Sequence, residues 1–327
     1  MKILLASPIH KDALEELSKN HTVVAAYDAG PDELKAKIEG CDALIFRSGV
    51  KITADVMSHA PNLRLILRAG SGIDNIDLDY VVQNGIQLFR IPGPGAKAVA
   101  ELAFALMLSL ARNVRQADNL LRQGHWAKHK MTGYLLTGKV LGVVGTGNIG
   151  SRVGQLGSAW GMQVIGCVEH YTEERAKEQL THGIRLMTFD EVIAQSDFIS
   201  LHVPKTPTTT HMINAETIRR MKPGAFLVNL ARGGVVDEQA LYQAMAAGHL
   251  AGAAMDVHEA EGEGKISPLA ALDNVLLTPH IGAGTYDSQR EIGEIMVARV
   301  NAFVAEEANA EPGKARVQPI PAYQIIG

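Results

Sequence analysis

Three side chains in this 327-residue chain stand where carbonyl chemistry could use them. Arg232 follows the apolar run AFLVNLA, Glu261 lies five residues beyond Asp256 at the end of LAGAAMDV, and His280 follows NVLLTP. Reduction of a keto carbon needs a proton donor for the oxygen and a fixed cation against the developing charge. An imidazole can supply that proton, and a carboxylate on its other nitrogen selects the tautomer and steadies the imidazolium. A guanidinium grips a carboxylate through two parallel hydrogen bonds, which would orient a 2-oxo acid. Singly, each residue has a plainer use: a strand-end ion pair for Arg232, a solvated acidic loop in HEAEGEG for Glu261, a turn for His280. Their shared position past buried apolar runs favours one site.

A second constellation is GTGNIG (Gly145, Thr146, Gly147, Asn148, Ile149, Gly150), which directly follows KVLGVV and precedes SRVGQLGSAWG. In a strand–turn–helix, the first glycine allows the tight turn and the second lets the backbone approach a pyrophosphate. The third packs helix against strand. The N-terminus of the helix then offers its N–H groups and positive dipole end to phosphate. A dinucleotide is expected against Gly145, Gly147, Asn148, Ile149 and Gly150.

Both constellations need strands to hold them. KILLA, TVVAAY, ALIFR, LRLILRAG and IQLFRIP read as five strands, separated by helical KDALEELSKN, PDELKAKIEG, TADVMSHA and DLDYVVQNG. A long helix is predicted from about Ala96 to Gln123. Seven more strands follow: KVLGVV, MQVIGCVEH, GIRLM, DFISLHV, AFLVNLA, LAGAAMDV and NVLLTP, with TFDEVIAQ, NAETIRRM and DEQALYQAMAAG as helices between them. This alternation predicts an α/β fold of two doubly wound, parallel-sheet domains. The last helix, near Ser288 to Glu307, follows the second series and is expected to return to the first. The cofactor domain, residues 96–285, would then be inserted into a substrate domain of residues 1–95 and 286–327. The stretch from Glu311 onward is punctuated by Pro and Gly and reads as irregular.

Hydrophobic residues make up 46% and charged residues 20%, enough apolar surface for two cores, and the formal net charge of −4 points to neither nucleic acid nor an anionic membrane as partner. Cys41 and Cys167 form no framework and read as two reduced thiols, consistent with a cytoplasmic chain. The apolar run LAFALMLSLA, flanked by Glu101 and Arg112, is too short to span a bilayer and reads as a buried or interface helix. His125 and His129 are spaced to share a helical face but lack a third ligand, so no metal site is expected.

DALIFRSGVKIT, RAGSGIDNIDL, VAELAFALML, GKVLGVVGTGNIG, DFISLHVPKTPTTTHMIN, MKPGAFLVNLARGGVVDEQAL, AGAAMDV and NVLLTPHIGAGT follow one another in order and carry a resemblance that extends over nearly the whole chain. With them the chain resembles the D-isomer-specific 2-hydroxyacid dehydrogenases, most of all their phosphoglycerate dehydrogenase branch. The resemblance implies a Rossmann NAD domain inserted into a flavodoxin-like substrate domain. It implies Arg232 as the substrate-orienting arginine, His280 as the acid/base and Glu261 as its carboxylate partner. Ser71 and Gly72 would hold the substrate carboxylate by their backbones, and Arg47 and Arg68 would lie near a second anionic group. Asp256 would face the nicotinamide amide; His202, Val203, Pro204 and Thr209 would flank the adenosine, with Ala231, His280 and Gly282 also against the cofactor. Family members are typically dimers through the VAELAFALML helix, so a homodimer is expected.

Departures from the family pattern fall around the site. The usual acidic residue at the end of the second Rossmann strand is Val168 here, and Glu169 comes one residue later. With Arg175 the nearest following arginine, NAD is expected and NADP is left open. Gly95, Gly262 and His258 stand where Asn, Pro and Phe are usual. The expected activity is hydride transfer between nicotinamide and a small D-2-hydroxy acid bearing phosphate, phosphonate or carboxylate as a second anion. Two alternatives share the architecture. A phosphite-type dehydrogenase also keeps the glutamate, and an NADH-sensing binding protein of the corepressor type would not need all three catalytic side chains.

Overall fold

The computed structural model describes residues 1–47, 49–70 and 72–309. They form two compact units, residues 1–96 with the described chain from Ala283 onward, and residues 97–282. The crossings therefore fall at 96/97 and 282/283, against 95/96 and 285/286 read from the sequence. Ser71 and the stretch from Glu311 lie outside the described residues.

The first unit alternates β1 (Lys2–Leu5), α1 (Lys11–Asn20), β2 (Thr22–Ala25), α2 (Pro31–Ile38), β3 (Ala43–Phe46), α3 (Ala54–Ser58), β4 (Leu65–Arg68), α4 (Leu78–Gln83) and β5 (Gln87–Arg90). Its strands form one parallel sheet in the order β2-β1-β3-β4-β5, which reverses between β1 and β3. Strand side chains alternate between the two faces. Leu4, Leu44, Phe46 and Ile66 fill one core, and Ile3, Leu5, Ile45, Leu65 and Leu67 fill the other.

The chain crosses through α5 (Gly93–Ala111) and continues with α6 (Val114–Arg122), β6 (Val140–Val144), α7 (Asn148–Ala159), β7 (Gln163–Cys167), α8 (Glu173–Thr181), β8 (Ile184–Leu186), α9 (Phe189–Gln195) and β9 (Phe198–Leu201). Next come α10 (Ala215–Arg220), β10 (Phe226–Asn229), α11 (Glu238–Ala246), β11 (Gly252–Met255), β12 (Val275–Leu277) and α12 (Tyr286–Asn309). The second sheet is parallel throughout, ordered β12-β11-β10-β9-β6-β7-β8, and reverses between β6 and β9. Ligands of such sheets gather past the carboxyl ends of the strands at the reversal. α12 presents Ile292, Met296, Val300 and Phe303 to the second core of the first unit, at the spacing of one helix face. At about 1.5–3 kcal/mol for each large apolar side chain buried, this face alone suffices to hold α12 on that sheet.

Three local readings are corrected. The predicted helix from Ala96 to Gln123 is two helices, α5 beginning at Gly93 and α6 at Val114. Asn113 between them takes a left-handed conformation, φ 52°, which no continuing helix contains. α8 was not expected because its face is mostly exposed and charged; Thr172 caps it by accepting the Arg175 N–H. His125 lies outside any helix and His129 in a single 3₁₀ turn, Lys128–Lys130, so they share no helix face. α5 is nearly twice the length of its apolar run, and among the described residues it is the one helix long and apolar enough to cross a membrane. As in a core helix, 67% of its most apolar 18-residue window is buried inside the structure.

Candidate active site

Because the strands of the second sheet run parallel, the residues that follow them all leave from one edge. Past β6 comes the GTGNIG turn, past β9 His202, past β10 Arg232, past β11 Asp256, and past β12 His280. β10, β11 and β12 are neighbours, so the three chemically interesting loops are adjacent.

His280 and Glu261 meet: His280 Nδ1 lies 3.0 Å from Glu261 Oε2. A carboxylate only accepts, so Nδ1 carries the proton and Nε2 is left to face a reactant. Burial pushes the Glu261 carboxyl up. The hydrogen bond from His280 and the His258 N–H, 3.1 Å from Oε1, outweigh that and hold it below the ordinary glutamate range. A carboxyl depressed in this way contributes stability above its unfolded value and loses it as the pH falls through the lower folded one. His280 itself has φ 53°, an uncommon conformation for a residue with a Cβ. The surroundings enforce it: the His280 N–H donates to the Asp256 carbonyl at 2.8 Å. The buried Asp256 carboxylate accepts from the Thr278 hydroxyl at 2.6 Å and from the Ile281 and Gly282 N–H groups, both at 2.9 Å. Strain held by so many bonds is a feature of functional turns.

Arg232 is half-buried in a turn built on Asn229, whose side chain accepts the Ala231 N–H at 3.0 Å and donates to the Arg232 carbonyl. The Arg232 guanidinium donates to the Ala231 carbonyl at 2.8 Å. Next to it, Gly233 is obligatory: a Cβ there would stand 1.7 Å from the His258 carbonyl oxygen. The arginine turn therefore presses directly against the loop that carries Glu261. Neither Gly233 nor the Thr278 and His258 contacts were foreseen. The only signal in the sequence was their position beside the chosen residues.

The GTGNIG turn fits a dinucleotide. Gly145, φ 91°, approaches His202 so closely that a Cβ would lie 2.7 Å from its carbonyl oxygen, and a Cβ on Gly150 would lie 2.0 Å from the Gly145 oxygen. A Cβ on Gly147 would meet nothing within 4 Å, which leaves open the approach a phosphate needs. Gly147 caps α7 without a side-chain hydrogen bond. Two buried polar atoms beside the turn, Thr146 Oγ1 and His202 Nδ1, have no hydrogen-bond partner among the described residues, as a binding cradle would leave them. Enclosure pushes the His202 ring down to about 3, so it is neutral. Val168 is half-buried and Glu169 exposed after β7. Val203 and Thr209 are half-buried, Pro204 exposed and Ala231 buried. The Thr209 hydroxyl donates to the Pro204 carbonyl at 2.6 Å, closing that loop on itself.

In the first unit, Arg47 leaves β3 and Arg68 ends β4, on adjacent strands. Arg47 is half-buried and lines a shallow surface cleft with His10, Gln289, Ala69 and Met296. Burial alone lowers its pKa. Arg68 is buried, donates to the Ala69 carbonyl at 2.5 Å and lies over the Phe46 ring at 5.7 Å. It is not among the residues lining that cleft. Gly72 is half-buried past β4.

The chain is similar to known proteins over most of its length. The sequence profile described as "D-isomer specific 2-hydroxyacid dehydrogenase, NAD binding domain" matches residues 104–282. A D-3-phosphoglycerate dehydrogenase of Methanocaldococcus jannaschii is 41% identical over 94% of this chain, which spans only 58% of that longer protein. A hydroxypyruvate reductase of Thermotoga maritima is 40% identical, over 91% of this chain and 97% of its own. The crystal structure of an Aquifex aeolicus D-lactate dehydrogenase, complexed with NAD and lactic acid, superposes with a TM-score of 0.81. It is 33% identical and covers 94% of this chain and 96% of that one. The chain thus belongs to the D-isomer specific 2-hydroxyacid dehydrogenases, and residues 104–282 are of the family's NAD-binding type.

Proposed function

We propose that this chain is an NAD-linked oxidoreductase interconverting a small D-2-hydroxy acid and its 2-oxo acid, the substrate carrying a second anionic group. The observation that carries the reading is the Glu261–His280 pair at 3.0 Å, on the same strand edge as Arg232 and a glycine turn that suits a dinucleotide. NAD held by Gly145 to Gly150 supplies the hydride acceptor, and NADH the donor, which no side chain can be. In the reducing direction His280 gives its Nε2 proton to the keto oxygen, and in the oxidising direction it takes the proton back. Glu261 holds the imidazolium in place while the proton is on it. Arg232 grips the carboxylate and lowers the cost of charge on the substrate oxygen. Buried thiols at Cys41 and Cys167 suit a reducing, cytoplasmic setting.

Arg47 supports the second anion: a half-desolvated cation, it forms no ion pair among the described residues. Arg68, already tucked against Phe46 and the Ala69 carbonyl, supports it less. The test follows absorbance at 340 nm with NADH and a panel of 2-oxo acids, half of them bearing phosphate, phosphonate or a second carboxylate. Turnover is expected, fastest with the doubly charged acids. Arg47→Ala should raise KM for these about 10–100-fold, the worth of a charged hydrogen bond, and leave singly charged acids nearly unchanged. Tight NADH binding without turnover of any acid would instead favour the sensor reading, and oxidation of phosphite the phosphite-type one.

The partner we propose is a second copy of the chain. Val114, Leu121, Trp126, Tyr134 and Leu135, all large and apolar, are 51%, 58%, 80%, 55% and 70% exposed within one short stretch. Such concentrations on a folded surface mark interfaces. Sedimentation is expected to give a dimer for the wild type and a monomer for the Trp126→Glu, Leu135→Glu double variant. Unchanged mass would remove this segment from the interface.

A further inference from the structure

Glu261 sits on a loop, and a loop holds a carboxylate in register only if it is tied elsewhere. Two other glutamates supply ties. Glu238 opens α11 and is only 3% exposed. Its Oε1 accepts the Glu259 N–H at 2.8 Å, and its Oε2 accepts the Ser267 hydroxyl at 2.5 Å. Glu259 returns the bond: its Oε1 accepts the Glu238 N–H at 3.1 Å and lies 3.1 Å from His211 Nε2. Each carboxylate thus bonds the other residue's backbone, beside the positive end of α11 where negative charge is favoured. The loop is fastened at 259 and at 267, on either side of Glu261. Just before the first tie, the His258 N–H donates to Glu261 itself.

We propose that Glu238 is a positioning residue: through Glu259 and Ser267 it fixes the loop so that Glu261 stays within reach of His280. The proposal rests on the reading of Glu261 and His280 given above. Glu238 touches neither of them and acts only through the backbone it ties. Burying a carboxylate is costly unless its oxygens are satisfied, and here the loop supplies the donors. Removing the carboxylate frees the loop, and a displacement of about 1 Å at a reacting group is enough to cost about 100-fold in rate.

The test uses the whole chain. Glu238→Ala is expected to lower kcat about 10–100-fold while NADH affinity, read by fluorescence titration, stays nearly unchanged. Glu238→Gln keeps an acceptor for the Glu259 N–H and should recover most of the rate. Glu259→Ala, on the surface, removes one tie without emptying a buried site, and should lower kcat in the same sense if Glu238→Ala does not fold. In a Glu261→Ala background Glu238→Ala should cost no more than about twofold, because the group it positions is already gone. An equal loss in both backgrounds would overturn the proposal. Amide exchange reads the tie without turnover: the Glu259 N–H and its loop neighbours should exchange about tenfold or more faster in Glu238→Ala. Should the wild type turn over no acid, the functional reading fails while exchange still decides the tie. Unchanged exchange would refute it.

Discussion

His280→Asn should lower kcat about 10²–10⁴-fold in both directions, the range for loss of a positioned general acid–base group. Asparagine is the informative replacement because His280 has φ 53°, and Asn tolerates the left-handed region better than most residues with a Cβ. The Asp256 carbonyl and carboxylate would still hold the turn through backbone N–H groups and the Thr278 hydroxyl, none of which the substitution removes. The fold and NADH affinity should therefore survive, and the loss should sit in kcat. Glu261→Gln should cost less, about 10–100-fold, since its amide oxygen can still accept from Nδ1 but cannot offset an imidazolium charge. Steady-state kinetics at 340 nm with parallel NADH titration reads both variants. An asparagine variant within tenfold of the wild type would remove His280 from the chemistry.

Much of this arrangement was legible in the chain because each strand is short, apolar and bounded. KVLGVV, AFLVNLA and NVLLTP could be read as strands, and residues just past strands in a doubly wound fold stand at the ligand edge. That singled out Arg232, Glu261 and His280. What could not be read were contacts that exist only because β10, β11 and β12 lie side by side. Gly233 meets the His258 carbonyl, and Asp256 holds Thr278, Ile281 and Gly282, across 22 to 26 residues of chain. No local pattern encodes those pairings, because strand order is a property of the whole sheet. The reciprocal bonds of Glu238 and Glu259, 21 residues apart, are hidden for the same reason.

Arg47 and Arg68 make the limit concrete. In sequence both are arginines at the ends of neighbouring apolar runs, and the same role was expected of both. Their surroundings separate them: Arg68 is buried against the Phe46 ring, whereas Arg47 lines a cleft with His10 and Gln289. The break at Asn113 is likewise invisible to periodicity, since SLARNVRQ continues a plausible helix and a single left-handed residue ends it. α8 was missed for the opposite reason. EERAKEQLT lacks the apolar stripe by which surface helices are recognised, and it begins at a capping threonine.

Gly147→Ala and Gly150→Ala should differ in a way that separates packing from ligand approach. At Gly150 a Cβ would stand 2.0 Å from the Gly145 carbonyl oxygen and 3.0 Å from Val143 Cγ1. To make room α7 must lift from β6, so the thermal midpoint should drop with a destabilisation of about 1–3 kcal/mol or more, and NADH binding should weaken with it. At Gly147 a Cβ meets no atom within 4 Å, and the backbone, φ −80°, is one any residue adopts. The protein without ligand should be as stable as the wild type or about 0.4–1 kcal/mol more so, because alanine narrows the unfolded ensemble. Yet the added methyl would intrude where the backbone N–H groups must meet the pyrophosphate. Each charged hydrogen bond lost there is worth about 1.5–3 kcal/mol, so NADH should bind at least about tenfold more weakly. Scanning calorimetry paired with NADH fluorescence titration reads both quantities. Wild-type affinity in Gly147→Ala would mean that phosphate does not approach this turn, and the cofactor would have to be sought elsewhere on the strand edge.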